Sequence, residues 1–123
     1  MFTGALRAEY RLRGAQSLKD KRQMVRSLKD RLSGRFGCAV AEVDLLDVRS
    51  RAVIGAVIVS GTEEHVRAML DEMSRYARLD PAMECTGIER SIQSFSDRDP
   101  LDDEMTAPTD LLFTDMDSPE TTP

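Results

Sequence analysis

Residues 14–32 read GAQSLKDKRQMVRSLKDRL, and this stretch determines where the first helix begins. Ser17 is a favourable N-cap, and Asp20 follows three residues later, close to the capping-box arrangement. Apolar residues then recur at helical spacing, and glycines come where the pattern ends. The pattern predicts an amphipathic helix that starts after Ser17, ends near Gly34 and Gly37, and buries Leu18, Val25, Leu28, Leu32 and Phe36.

The segments on both sides of this helix complete an alternating order of strands and helices. Residues 2–12 alternate apolar and polar side chains, which is typical of a strand with one face on a core. Residues 38–47 and 52–60 indicate two strands joined by a short DVRSR hairpin connection. Thr62 caps a second helix that Asp80-Pro81 ends, and a last strand covers residues 83–95. The βαββαβ order predicts an α+β, ferredoxin-like split βαβ fold with a four-stranded antiparallel sheet and two helices on one face.

Charge is distributed unevenly along the 123 residues, whose formal net charge is −5. Residues 1–35 contain ten basic and three acidic residues, whereas residues 96–123 contain nine acidic and one basic. We therefore predict a ferredoxin-like domain over residues 1–95 and an acidic, disordered tail over residues 96–123. Such a tail would either screen the basic residues of the domain or only keep the protein soluble, and the sequence leaves both alternatives open.

Four of the basic residues form one stripe on the first helix. Their spacing of three, four and three residues places them beside the apolar stripe, at Lys19, Arg22, Arg26 and Lys29. Lys21 falls within the apolar sector, and we expect its stem to be buried and its ammonium to reach the surface. The stripe predicts a surface that binds an anion, although for any single residue an exposed charge that aids solubility is the simpler alternative.

The predicted topology brings further basic residues to the end of the sheet where this helix starts. Arg13 lies in the first strand–helix loop, and Arg49 and Arg51 lie in the hairpin. The exit of the second helix adds Arg75 and Arg78. A phosphate-bearing partner, such as ribosomal RNA or a ribosomal subunit, is the simplest explanation of such a cluster. The candidate nucleic-acid- or anion-binding residues are Arg13, Lys19, Lys21, Arg22, Arg26, Lys29, Arg49 and Arg51.

The segment RAEYRLRGAQSLKDKRQMVRSLKDRLSGRFGCAVAEVD resembles the start of YlxP-like proteins, a small bacterial family of unknown function. That family shows a G-x-x-SLK-x-KR segment, a basic first helix and SVAEVD at the second strand. The resemblance covers about residues 1–92 and implies a ferredoxin-like fold, often dimeric, without established catalytic residues. Family genes commonly neighbour those for ribosome maturation and translation initiation factors. Leu45 and Leu46 stand where relatives tend to have His and Gln, and Arg49 stands where they often have Trp.

Two features of the strands concern assembly. Residues 52–59 are apolar at odd and even positions, so a second copy of the chain is expected to cover the face that the helices leave open, giving a homodimer. The alternative is that the small Ala and Gly residues make this face only mildly apolar.

Glu42 and Asp44 lie two apart on one face of a predicted edge strand. They could form a metal-binding or acid–base pair, but charges that prevent edge-to-edge association are favoured.

The residues do not favour an enzyme. His65 is the single histidine, without a nucleophile close in sequence, and Cys38 and Cys85 are far apart. We therefore expect no catalytic residues, no metal and no cofactor, reduced thiols, a cytoplasmic location and no membrane partner.

Because few aromatic residues are available for base stacking, RNA would be bound through its phosphates. The alternative function is a dimeric protein-interaction or small-anion-sensing module that binds no nucleic acid.

Overall fold

A computed structural model describes residues 1–96, so residues 97–123 of the predicted disordered tail lie outside the described part. Six elements follow one another in the predicted βαββαβ order. They are β1 (Phe2–Arg11), α1 (Leu18–Phe36), β2 (Ala39–Asp44), β3 (Arg51–Ser60), α2 (Glu63–Ala77) and β4 (Glu84–Ser94).

The four strands form one antiparallel sheet in the order β2-β3-β1-β4. The even-numbered residues of β1 and β3 pack with the buried side chains of α1 and α2 in one hydrophobic core. The odd-numbered residues of these strands lie on the opposite, open face of the sheet. This arrangement confirms the predicted α+β, ferredoxin-like architecture.

Both predicted helix starts are capped as the sequence indicates. The Ser17 hydroxyl accepts from the Asp20 backbone N–H, and the Thr62 hydroxyl accepts from that of His65. The Asp20 carboxylate in turn accepts from the Gln16 backbone N–H, one residue before the cap, so Ser17 and Asp20 each satisfy one backbone donor at the start of α1. At the other end of α1, Gly37 adopts φ 62° in the left-handed region, which is the usual way for glycine to end a helix.

Tyr10 and Gly4 fix how α2 lies against the sheet. The Tyr10 hydroxyl donates to the Ala77 carbonyl at 2.8 Å, at the last residue of α2. Burial raises the pKa of this phenol, so it remains a neutral donor. At Gly4 a Cβ atom would lie 2.6 Å from Val66, so only glycine allows this close approach of α2.

Lys21 is the buried charge of the domain. Its side chain is 1% exposed, and its ammonium lies 2.9 Å from the Glu42 carboxylate of β2. The same ammonium donates to the carbonyls of Leu45 and Val48 at 2.6 Å each, within the β2–β3 loop. Leu45 has φ 56°, a left-handed conformation that is unfavourable for leucine. The lysine therefore holds a loop whose carbonyls point inward and whose backbone is strained.

Replacing Lys21 by Met keeps the length of the side chain but leaves the Glu42 carboxylate without its counter-ion and the loop carbonyls without their donor. We expect Lys21→Met to lower the free energy of unfolding by about 3 kcal/mol or more, as for other broken buried ion pairs. Lys19→Met, two residues away on the exposed side of α1, should change it by less than about 0.5 kcal/mol. Urea unfolding at neutral pH measures both, and equal midpoints would contradict the role given to Lys21.

The connection between α2 and β4 is held to α1 by Arg31. The Arg31 guanidinium donates to the Asp80 carboxylate, whose side chain is 5% exposed. Burial alone would raise the pKa of Asp80, but the Arg31 hydrogen bond and the backbone N–H of Ala82 together hold this pKa below its ordinary value. The carboxylate is therefore stabilised in its charged form.

This lowered pKa predicts a pH-dependent contribution to stability. A carboxyl whose folded-state pKa is depressed stabilises the protein above the unfolded pKa of about 3.9, and this contribution is lost as the pH falls through the folded value. Asp80→Asn should reduce the free energy of unfolding by about 1–2 kcal/mol at pH 7, and the difference should shrink below about pH 4. Denaturant titrations at both pH values test this. Asp30→Asn, at an exposed position of α1, is the control.

Candidate nucleic-acid interface

The predicted stripe on α1 is present as one cationic surface, which we call the basic helix face and which consists of Lys19, Arg22, Arg26 and Lys29. Three of these side chains are exposed and Lys29 is half-buried. At a rise of 1.5 Å per residue, the stripe extends for about 15 Å, and its members lie within about 80° of arc around the helix. The face therefore presents a line of positive charge.

Arg49 joins this surface from the β2–β3 loop. Its guanidinium donates to the Gln16 carbonyl at 3.3 Å, directly before α1. The next residue, Ser50, accepts from the Leu12 N–H at 2.8 Å and so ties the loop to the end of β1. Within residues 1–96, no acidic side chain lies within 4.0 Å of the charged groups of Arg49 or the basic helix face. As far as the described residues go, these five charges are therefore available to an external anion.

Lys21 does not belong to this surface, and the expectation that its ammonium reaches the surface is wrong. The apolar sector into which it falls does bury its stem, as predicted. The ammonium is buried as well, because the carbonyls of the β2–β3 loop and the Glu42 carboxylate surround it. The position of Lys21 in the apolar sector of α1 is the sequence feature that could have indicated a buried, structural lysine.

Arg13 and Arg51 lie near the start of α1 in the chain but are paired with carboxylates. Arg13 lies 3.0 Å from Glu84 at the start of β4, and Arg51 lies 3.9 Å from Glu9 on the open sheet face. Both arginines are more than half exposed, so each pair contributes about 0–1 kcal/mol. Their charge is partly neutralised, and the basic end of the sheet is weaker there than the sequence predicts.

The exit of α2 lies toward the predicted end of the sheet, where Ala77 contacts Tyr10 and Glu84 pairs with Arg11. However, Arg75 and Arg78 do not join Arg49 and the basic helix face. They line a groove together with Arg35, from the last turn of α1. Arg35 lies 16 residues after Lys19, about 24 Å along the helix. Arg35 lies on the opposite side of α1 from the predicted stripe, next to Phe36, which is predicted to be buried. Phe36 contacts Tyr76 edge-on, and this contact brings the ends of the two helices together.

Glu42 and Asp44 do not share a face of β2, so the predicted acidic pair is not assembled. The register shifts between these residues, with Glu42 opposite Ile54 and Asp44 opposite Val53. Because neighbouring residues of β3 face opposite sides of the sheet, Glu42 points to the core side and Asp44 to the open face. Val43 is the extra residue of this bulge.

The open face carries an apolar stripe beside a row of paired charges. Val43, Val57 and Val59 are 52%, 44% and 64% exposed. Beside them, the Arg7 guanidinium lies 2.8 Å from Glu9 and 3.5 Å from Glu89. A shallow groove of about 280 Å³ runs between Val43, Val57 and these charges.

The residues considered for catalysis are dispersed. His65 is exposed, with its backbone N–H bound by the cap of α2. Cys38 is buried, which raises the pKa of its thiol, and Cys85 is half-buried and separate from it. In the part of the chain that the structure describes, no group of three or more His, Cys, Asp or Glu side chains could hold a metal ion. Over the same residues, neither helix is long and apolar enough to cross a membrane.

The fold and this surface define a class: a small ferredoxin-like domain with an exposed line of cations on its first helix. Residues 3–90 match a family described as "Protein of unknown function (DUF503)". The chain belongs to this family. Its description does not carry the name of the YlxP-like proteins, so that closer relationship stays a prediction.

The comparisons with curated proteins and with one solved structure do not indicate a function for this chain. No curated protein matches the chain. Among solved structures, the chain is similar to a NIPSNAP family protein from Agrobacterium tumefaciens, with 15% identity and a TM-score of 0.32. The match covers 82% of this chain and 99% of that one. A likeness this low carries no argument about function.

Proposed function

We propose that this protein is a non-enzymatic accessory module that binds structured RNA, with ribosomal RNA or a ribosomal subunit as its partner. Phosphates would contact the basic helix face and Arg49. One observation carries the proposal: these five cations lie together without acidic partners among the described residues. Each phosphate that they neutralise releases counterions, which makes such binding favourable at low salt. The resemblance to YlxP-like proteins, whose genes neighbour those for ribosome maturation, points in the same direction.

The open sheet face does not favour a role in stacking bases. RNA-recognition sheets display aromatic side chains for this purpose. Here the odd-numbered residues of β1 and β3 include none, since they are Thr3, Ala5, Arg7, Glu9, Arg11, Arg51, Val53, Gly55, Val57 and Val59. Contacts with the sugar–phosphate backbone of a folded RNA through α1 are therefore the interaction we propose.

Salt dependence tests this proposal directly. We expect binding to a fluorescently labelled helical fragment of ribosomal RNA to weaken by about two to three orders of magnitude between 50 and 200 mM salt if all five cations take part. Arg22→Ala/Arg26→Ala should reduce the slope of log affinity against log salt by about two. Fluorescence anisotropy at several salt concentrations measures both quantities.

A matched control removes the same charge elsewhere. Arg67→Ala/Arg90→Ala also deletes two arginines, but these are paired with Glu63 and Asp71. It should leave the salt slope nearly unchanged. Equal losses in the two double variants would mean that net charge alone attracts the RNA, and binding that does not respond to salt would overturn the proposal. Stabilisation by phosphorylated metabolites without RNA binding would instead favour the small-anion-sensing module.

We further propose that two copies associate through the open face. The apolar stripe of Val43, Val57 and Val59 is uncovered, whereas the neighbouring charges of Arg7 and Glu9 satisfy each other. A two-fold axis would therefore pack the apolar stripes of the two copies against each other without burying an unpaired charge. A second copy of this chain is the occupant that matches this pattern.

A charge in the stripe should prevent this association. We expect Val59→Asp to convert dimers to monomers in sedimentation velocity, because an unpaired carboxylate would be buried between the copies. Ala68→Asp, at an exposed position of α2 on the other side of the molecule, should leave the dimer intact. A monomeric wild-type protein at micromolar concentration, or a dimer that survives Val59→Asp, would contradict the assembly.

A further inference from the structure

A groove lies between the C-terminal ends of the two helices, away from the basic helix face. It has a volume of about 590 Å³. Its walls carry three arginines, one glutamate, one aromatic ring and one leucine, contributed by Arg35, Glu72, Arg75, Tyr76, Arg78 and Leu79. The size and the mixture of charge and apolar surface suit a short peptide segment.

The three arginines give the groove an excess of positive charge. Among residues 1–96, no carboxylate lies within 4.0 Å of any of the three guanidinium groups, although Glu72 also lines the groove. The Arg35 guanidinium lies over the Tyr76 ring, 5.0 Å from its centroid, which holds this cation in place. A favourable interaction with the helix dipole explains arginines at a helix end, but it does not explain the apolar wall beside them.

Leu79 forms this apolar wall. It is 72% exposed, more than any other large hydrophobic side chain among the described residues. Its backbone N–H donates to the Tyr76 carbonyl at 3.1 Å, so its position is fixed directly after α2. An exposed leucine beside a half-buried tyrosine and three arginines is complementary to a ligand that is both acidic and apolar.

The chain itself contains such a segment beyond the described residues. Residues 110–117 read DLLFTDMD, in which Leu111, Leu112 and Phe113 are flanked by aspartates. The thirteen residues between Ser96 and Asp110 can span up to about 45 Å, against a radius of gyration of about 12 Å for a domain of this size. The linker is therefore long enough to reach any part of the surface.

The described chain ends on the side of the domain where the Arg35 wall of the groove lies. The Phe95 N–H donates to the Met1 carbonyl at 2.8 Å, next to the start of β1. Because α1 runs back along β1, its last turn, which carries Arg35, lies toward this same end of the sheet. The acidic segment therefore leaves the domain at the end of the sheet toward which α1 runs. The end of α2, held at Ala77 by Tyr10, lies toward the other end of β1, a distance that the linker is long enough to span.

We propose that residues 110–117 of this chain bind in the groove of Arg35, Arg75 and Arg78. Leu111, Leu112 and Phe113 supply apolar contacts to Leu79 and Tyr76, and the flanking aspartates approach the arginines. The groove is a docking site for the acidic tail, distinct from the proposed RNA interface and independent of it. RNA binding can fail without affecting this contact, and this contact can fail without affecting RNA binding.

Amide chemical shifts of the full-length, ¹⁵N-labelled protein test the proposal. Leu111→Ser/Leu112→Ser/Phe113→Ser should shift the amides of Arg78 and Leu79, because the apolar contacts are lost. Leu101→Ser/Met105→Ser removes apolar residues from the same tail, outside the docking segment, and should leave these amides in place. Raising the salt concentration to 0.5 M should move the wild-type shifts toward those of the triple variant.

A reciprocal variant keeps the test specific. Leu79→Ser changes a side chain that is mostly exposed, so the fold should be retained, and it should shift the amides of residues 111–113. Groove amides that do not respond to the triple variant, or that respond equally to the Leu101→Ser/Met105→Ser control, would overturn the proposal. Shifts that grow with protein concentration would also overturn it, because the segment would then bind a second copy.

Discussion

The Lys21 ammonium holds together three parts of the chain that are distant in sequence, through hydrogen bonds to loop carbonyls and an ion pair with a carboxylate. The ammonium comes from α1, the carboxylate comes from β2, and the carbonyls come from the β2–β3 loop. A buried ammonium is tolerated only when such partners surround it, because burial removes it from water. The loop in turn depends on the ammonium, since its inward carbonyls and the left-handed Leu45 need compensation. This loop also presents Arg49 at the start of α1, so the structural contact helps to shape the candidate interface.

The eight basic residues that the sequence singles out for anion binding fall into three physical groups, although in sequence they look alike. Lys21 is buried and structural, whereas Arg13 and Arg51 are exposed and paired with carboxylates. The basic helix face and Arg49 form the third group, exposed and without acidic partners in residues 1–96. Of these three groups, only the third presents charge that is not paired with a carboxylate of the described residues. The positive charge that is available for binding is therefore smaller than the count of basic residues suggests.

Local patterns predict the elements of this fold because each element buries one face. The alternation in β1, the caps at Ser17 and Thr62 and the stripe of α1 depend on neighbours in sequence, and all are observed. The predicted end of the second strand at residue 47 was three residues too late, because the bulge at Val43 and the turn at Leu45 end β2 at Asp44. The destination of the Lys21 ammonium and the partners of Arg13 depend on loop conformation and on the register of β4. These contacts join residues that are distant in sequence, so no local sequence pattern predicts them.

The bulge in β2 limits how copies of this domain can meet. β2 is a short edge strand of six residues, and Val43 interrupts the regular spacing of its free backbone N–H and carbonyl groups. A strand from another molecule needs an uninterrupted row of such groups to extend a sheet. Sheet extension along the β2 edge is therefore disfavoured by backbone geometry, so on this side copies are expected to meet through side chains. The same irregularity that turns Glu42 toward Lys21 thus also protects the protein against fibrillar aggregation along this edge.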